Sequence, residues 1–101
     1  MTETQLQSAI QSALQRLGYV VLRLNSGSAR RRGYRIRLCP EGTPDLLVLL
    51  RAGRVLWIEV KLPGESLSAA QDEWRHRAAR EGHLVVVVHS AATAIAAVRR
   101  A

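Results

Sequence analysis

Phenylalanine is absent from this 101-residue chain, and the aromatic residues are Tyr19, Tyr34, Trp57 and Trp74. The core must therefore be built from Leu, Val, Ile and Ala. Hydrophobic residues make up 48% of the chain, enough for one packed core and one domain, residues 1–101, with no room for a second. Cys39 is the only cysteine, which excludes an internal disulfide and a cysteine-based zinc site and fits a reducing compartment. Acidic residues are scarce: 15 Lys and Arg face 8 Asp and Glu, a formal charge of +7. Lysine is almost missing too, because every cation except Lys61 is Arg. An Arg-rich surface suits bidentate contacts to phosphate, so nucleic acid is the expected partner, of a kind that charge alone does not specify. No apolar run approaches a membrane span, and "MTETQLQSAIQ" lacks the charged-then-apolar pattern of a signal peptide. The expectation is a soluble cytoplasmic protein of bacterial or phage type, without a membrane partner.

Leu6, Ile10, Ala13, Leu14 and Leu17 recur at the helical period. With Thr2 and Gln5 as a capping box and Gly18 as a stop, they predict a helix over about 3–17. "YVVLRLN", 19–25, reads as a strand, and "SGSARRRG", 26–33, as a flexible basic loop. "YRIRL", 34–38, alternates apolar and basic residues and predicts a half-buried strand. Two apolar strands, 45–50 and 54–61, surround "RAG". Ser68 and Gln71 form a second capping box, opening a helix over 69–81 that Gly82 closes. "LVVVV", 84–88, predicts a strand buried on both faces. "SAATAIAAVRR" is a last helix with Ser90 as N-cap. The order α-β-β-β-β-α-β-α implies a mixed sheet with helices packed on it.

The hairpin "GTPDLLVLLRAGRVLWIEVKLP" places three charges among apolar residues. "Arg51-Ala52-Gly53" suits a three-residue loop, a type I turn followed by a left-handed Gly. That loop pairs Leu50 with Arg54 and Asp45 with Glu59. Opposed residues share a face, and Lys61, two beyond Glu59, shares it too. Two carboxylates pressed together repel unless a cation lies between them. Lys61 is one candidate and a divalent metal the other. Paired hard oxygen ligands suit Mg²⁺, and the Val60 carbonyl offers a further oxygen. A structural charge cluster is the alternative, disfavoured because buried ion pairs rarely improve on apolar packing.

These residues resemble a PD-(D/E)XK nuclease, and more narrowly a stand-alone VRR-NUC domain, the virus-type replication–repair nuclease family. "GTPDLLVL" is similar to the family's Pro-Asp strand and "IEVK" to its Glu-x-Lys strand. "LSAAQDEW" resembles the segment that follows, and "TETQLQSAI" the helix that supplies a further acid. The resemblance spans nearly the whole chain and implies a restriction-endonuclease-like mixed α/β fold. It implies Asp45, Glu59, Lys61 and Gln71 as the catalytic set, with Asp45 and Glu59 as metal ligands and Glu3 completing the acidic cluster. Read from the residues alone, Glu3 is equally a first-turn acid favouring the helix dipole, and Gln71 equally half of a cap. Family members often occur as modules of larger helicase or repair proteins; the expectation here is a stand-alone domain, with targeting supplied by the domain itself, by self-association or by a partner.

The expected function is that of a Mg²⁺-dependent endonuclease, with Mn²⁺ as a substitute, hydrolysing DNA phosphodiesters. Arg30, Arg31, Arg32, Arg35 and Arg37 would grip phosphates. Branched DNA is the expected substrate, by resemblance to Holliday-junction-resolvase-like nucleases. A homodimer would supply two cuts, and the small residues Ala92, Ala96 and Ala97 allow close approach of a second surface. Ile95 and Val98 could equally pack on the chain's own sheet. The rival is a non-catalytic DNA-binding or scaffolding module with a nuclease-like fold. His76, His83, His89, Cys39, Glu41, Ser26 and Ser28 show no ligand or nucleophile pattern and are left out of the site.

Overall fold

The structure, a computed structural model, describes residues 1–24, 28–31, 33–37 and 39–101. Along the chain run α1 (Glu3–Arg16), β1 (Val21–Arg23), β2 (Ser28–Arg31), β3 (Tyr34–Arg37) and β4 (Leu46–Leu49). A short 3₁₀ turn (Arg51–Gly53), β5 (Val55–Val60), α2 (Ala69–Arg80), β6 (Val85–Val88) and α3 (Ala91–Arg100) follow. The main sheet has the order β1-β4-β5-β6. Its first two pairings are antiparallel and the last, β5 with β6, is parallel. This is a mixed α/β fold with the element order that the sequence implies, plus one strand.

The added strand is β2. The segment expected to be a loop contains Ser28–Arg31, which pairs antiparallel with β3 in a separate two-stranded sheet. Register sets Arg30 opposite Arg35 and Ser28 opposite Arg37. Arg32 lies outside the described residues, as do the side chains of Arg30, Arg31, Arg35 and Arg37, so the expected phosphate grip falls there.

The helices start and stop where local chemistry dictates. Thr2 and Ser68 each cap a helix whose third residue, Gln5 or Gln71, reaches back to the cap N–H. Gly18 ends α1 at φ 95° and Gly82 ends α2 at φ 82°. In both, the next residue's N–H bonds back to the last turn, Tyr19 to Leu14 and His83 to Ala78. Leu17, read as part of the apolar stripe, caps α1 instead and is 46% exposed.

One face of the sheet makes the core. Leu46 and Val48 of β4, with Leu56, Ile58 and Val60 of β5, are buried against Leu6, Ile10 and Leu14 of α1 and Ala94, Ala97 and Val98 of α3. Helix α3 thus spends its small residue Ala97 and its Val98 on its own chain's core. The β6 run is not buried on both faces as expected. It pairs with β5 alone, and of its four residues only Val88 is buried. A run of Val reads the same on an edge strand as in a sheet centre, because periodicity reports neither. Among the described residues no helix is long and apolar enough to cross a membrane.

Candidate active site

The opposite face of β5 carries Trp57 and Glu59, alternate residues that turn away from the core and toward α2, and Lys61 continues the same alternation one residue past the strand. The hairpin register pairs Leu46 with Ile58 and Leu49 with Val55. One step further sets Asp45, the bend residue before β4, opposite Glu59. At the other end the Leu50 N–H donates to the Arg54 carbonyl at 2.8 Å, the pair expected to flank the loop. The loop itself departs from expectation. Gly53 has φ 72°, but Ala52 also lies in the left-handed region, at φ 60° and ψ 36°. Two successive positive φ values replace the expected type I turn and single left-handed Gly, while the register stays the one that a three-residue loop sets.

Asp45 is held from both strands. Its carbonyl accepts the Leu24 N–H at 2.8 Å, and its Oδ2 accepts the Val60 N–H, also at 2.8 Å. Glu59 is 2% exposed and Lys61 8% exposed. Burial pushes the Glu59 carboxyl up to about 9, reinforced by the Asp45 charge and by a side-chain hydrogen bond to Asp45. Lys61 opposes the shift and Glu3 adds to it. Glu3 is also raised, first by burial and then by a hydrogen bond to the Glu65 side chain. Glu3, Asp45, Glu59, Lys61 and Glu65 thus lie near enough to one another to be felt electrostatically.

Gln71 makes the cap bond and also reaches Glu59. Its Oε1 accepts the Ser68 N–H at 2.8 Å, completing the cap, and its Nε2 donates to Glu59 Oε1 at 3.1 Å. Trp74, three residues on, meets Trp57 edge-on with ring centroids 4.9 Å apart. A cleft of about 690 Å³ opens beside this aromatic pair, lined also by His83, Arg77 and Glu73, and Asp45 and Glu59 are not among its lining residues.

Two contacts escaped the sequence. Glu65 sits in the turn after β5, where only a loop was legible. His89, left out of the site on sequence, places Nδ1 3.0 Å from the Lys61 carbonyl oxygen. The Lys61 N–H also bonds the Val88 carbonyl at 3.0 Å, so the end of β6 and the residue after it both hold the Lys61 backbone. No pattern within one element could have shown a contact that spans 28 residues.

Lys61 forms no ion pair among the described residues, so it does not itself bridge the two acids. Burial instead favours the protonated form of Glu59, which lessens the repulsion. Among the described residues no three His, Cys, Asp or Glu side chains are grouped to hold a metal ion. The donor set is instead two carboxylates, and two suit Mg²⁺, which keeps most of its waters. With Oδ2 committed to Val60 and Oε1 to Gln71, each acid retains one oxygen for a cation. The residues present thus fit a two-carboxylate cation site.

No curated protein matches the chain. A solved structure described as a VRR_NUC domain superposes with a TM-score of 0.67 and 27% identity, covering 91% of this chain and 88% of its own. The VRR-NUC domain model matches residues 1–92, which include every acid of this site as well as Lys61 and Gln71. On that match the chain belongs to the VRR-NUC domain family.

Proposed function

We propose that this nuclease-like, DNA-processing domain is a Mg²⁺-dependent endodeoxyribonuclease, with Mn²⁺ as an alternative ion. The observation that carries the reading is the half-buried Asp45 opposite the buried Glu59, with the buried Lys61 two residues beyond Glu59 in the same alternation. A fold gains nothing from burying two acids together unless a cation joins them. Asp45 and Glu59 would hold the ion, and the Val60 carbonyl is the further oxygen proposed for it. When bound, the ion supplies Lewis-acid polarisation of the phosphate and an acidified water. Glu3 adds negative charge that favours a cation at the pair. Lys61 orients that water or carries charge developing on the phosphorus oxygens. Gln71 holds Glu59 in place. Arg30, Arg31, Arg32, Arg35 and Arg37 supply phosphate affinity without sequence readout.

Branched DNA is the proposed substrate form, on the resemblance to junction-resolvase-like nucleases. A symmetric homodimer is the simplest way to bring two such sites to one branched molecule. Because α3 buries Ala97 and Val98 in its own core, that helix is a poor choice of interface, and the dimer rests on the need for two cuts. The test is cleavage of flaps, forks, four-way junctions and linear duplex, with Mg²⁺ and with EDTA. Metal-dependent cutting of a branched substrate, lost in Glu59→Gln, is the expected result. Tight binding with no cutting under any metal would assign the chain to the non-catalytic class. Light scattering during the same series reads the oligomer: full junction cleavage by a monomer would remove the dimer as a requirement.

A further inference from the structure

Gln71 is the only described side chain shown donating a hydrogen bond to Glu59, and its amide is not free to turn. The Ser68 backbone N–H can only donate, so the amide atom 2.8 Å away must be the oxygen. Nε2 must then face Glu59 Oε1, at 3.1 Å. A flip would set donor against donor at Ser68 and oxygen against oxygen at Glu59. The Ser68 hydroxyl closes the reciprocal bond, accepting the Gln71 N–H at 3.1 Å.

The turn that leads to Asp45 is fitted to the same helical turn. Gly42 has φ 88°, and a Cβ there would strike the Ala70 carbonyl, 2.6 Å from its carbon and 3.1 Å from the Gln71 nitrogen. Backbone cannot yield as a flexible side chain can. The turn is internally braced, since Thr43 Oγ1 donates to the Pro40 carbonyl at 2.6 Å and the Thr43 N–H to the same oxygen at 3.2 Å. The loop that delivers Asp45 and the helix that delivers Gln71 are therefore indexed against each other by backbone contact.

We propose that Ser68 and Gly42 are positioning residues for the nuclease site: together they hold the Gln71 amide in one orientation and at one distance, and through it fix the Glu59 carboxylate relative to Asp45. The role rests on the reading of Asp45 and Glu59 as the cation-binding acids. Neither residue touches substrate; each acts through Gln71. Helix capping alone would not need the second half of the amide, and a loop serving only as a connector would not need Gly42 against α2.

Four variants separate positioning from plain stability. Ser68→Ala removes the hydroxyl and keeps the N–H. Ser68→Pro removes both, and the Ser68 φ of −69° already suits proline. Gln71→Glu keeps a capping acceptor but replaces the amide donor with a second acid. Gly42→Ala forces the loop off the helix. The first readout is NMR of the Gln71 side-chain amide in the metal-free protein, which needs no activity. Well-separated, slowly exchanging amide protons are expected in the parent, weakened in Ser68→Ala, and collapsed to free-glutamine values in Ser68→Pro and Gly42→Ala. The second readout is cleavage: kcat should fall by about 10–100-fold in Ser68→Pro and Gln71→Glu, the scale for groups that orient metal ligands, while KM for DNA holds. Ser68→Thr should restore both readouts to parent values. An unchanged Gln71 amide signal in Ser68→Pro, or undiminished kcat in Gln71→Glu, would overturn the proposal. If Gly42→Ala fails to fold, the Ser68 pair still decides. A parent protein with an ordered Gln71 amide but no cleavage at all would sink the nuclease reading and leave the positioning of Glu59 standing.

Discussion

Asp45 Oδ2 accepts the backbone N–H of Val60 at 2.8 Å, so the acid ahead of β4 is fastened to the strand that carries its partner, one residue past Glu59. The charge at 45 and the hydrogen bond at 45 are thus separable. In Asp45→Asn the amide oxygen can still accept from Val60 while the repulsion with Glu59 disappears. Cleavage should be abolished with the melting temperature held or raised. Asp45→Ala strands the Val60 N–H and should be about 1–3 kcal/mol less stable than Asp45→Asn. Denaturant melts of the two variants check the difference; equal stabilities would mean that water replaces the lost acceptor.

The Glu59 carboxyl, raised from 4.5 to about 9, predicts how metal-free stability varies with pH. The folded state holds this proton more tightly than the unfolded chain does. The stabilisation is complete below pH 4.5, declines as pH rises toward 9, and is gone above it. Glu3 is shifted in the same direction. In EDTA the unfolding free energy should therefore fall between pH 5 and pH 9, by at most about 1.4 kcal/mol per pH unit for one proton. Glu59→Gln should flatten the curve. Cation binding must displace the proton, so apparent Mg²⁺ affinity should climb over the same range. A stability that rises with pH across this window would contradict the raised Glu59 carboxyl.

Ala52 at φ 60° predicts a gain on loss of its methyl group. A left-handed conformation costs a non-glycine residue about 1–2 kcal/mol. The extra freedom of Gly in the unfolded chain takes back part of that. Ala52→Gly should stabilise the hairpin by about 0.5–1 kcal/mol, read as a higher urea midpoint with unchanged slope. A lower midpoint would show that the methyl packs favourably.

Replacing Arg30, Arg31 and Arg32 together with Ala should weaken binding to every DNA form alike. Three lost phosphate contacts would reduce the slope of log affinity against log salt by about 2.7 on duplex. Fluorescence anisotropy over a salt series measures it. An unchanged slope would place the DNA elsewhere on the protein.

What could be read from the sequence follows how local each signal is. The three capping residues Thr2, Ser68 and Ser90 announce themselves within four residues of chain, and all three caps form. The Asp45–Glu59 register follows from loop length alone, because pairing is counted outward from the turn. The turn conformation does not, since more than one set of φ values closes the same loop. β2 escaped because Gly, Ser and Arg are turn and surface residues, and its ladder comes from pairing with β3 rather than from its own preference. The contacts of Gln71 with Glu59, Gly42 with Ala70, and His89 with Lys61 join separate elements. Spacing on a single helix or strand has no means of showing them.

Helix α2 carries Gln71 yet contributes no buried residue, whereas α1 and α3 share the core. The helix is secured by its end and by one aromatic pair rather than by a greasy stripe. Segments with little buried apolar surface open at lower free energy than the whole molecule. Warming should therefore loosen α2 while the sheet and its other two helices persist, and amide exchange along 69–80 should run ahead of that in α1. Catalysis would fail before the fold does, making the working temperature of the site lower than the melting temperature of the protein.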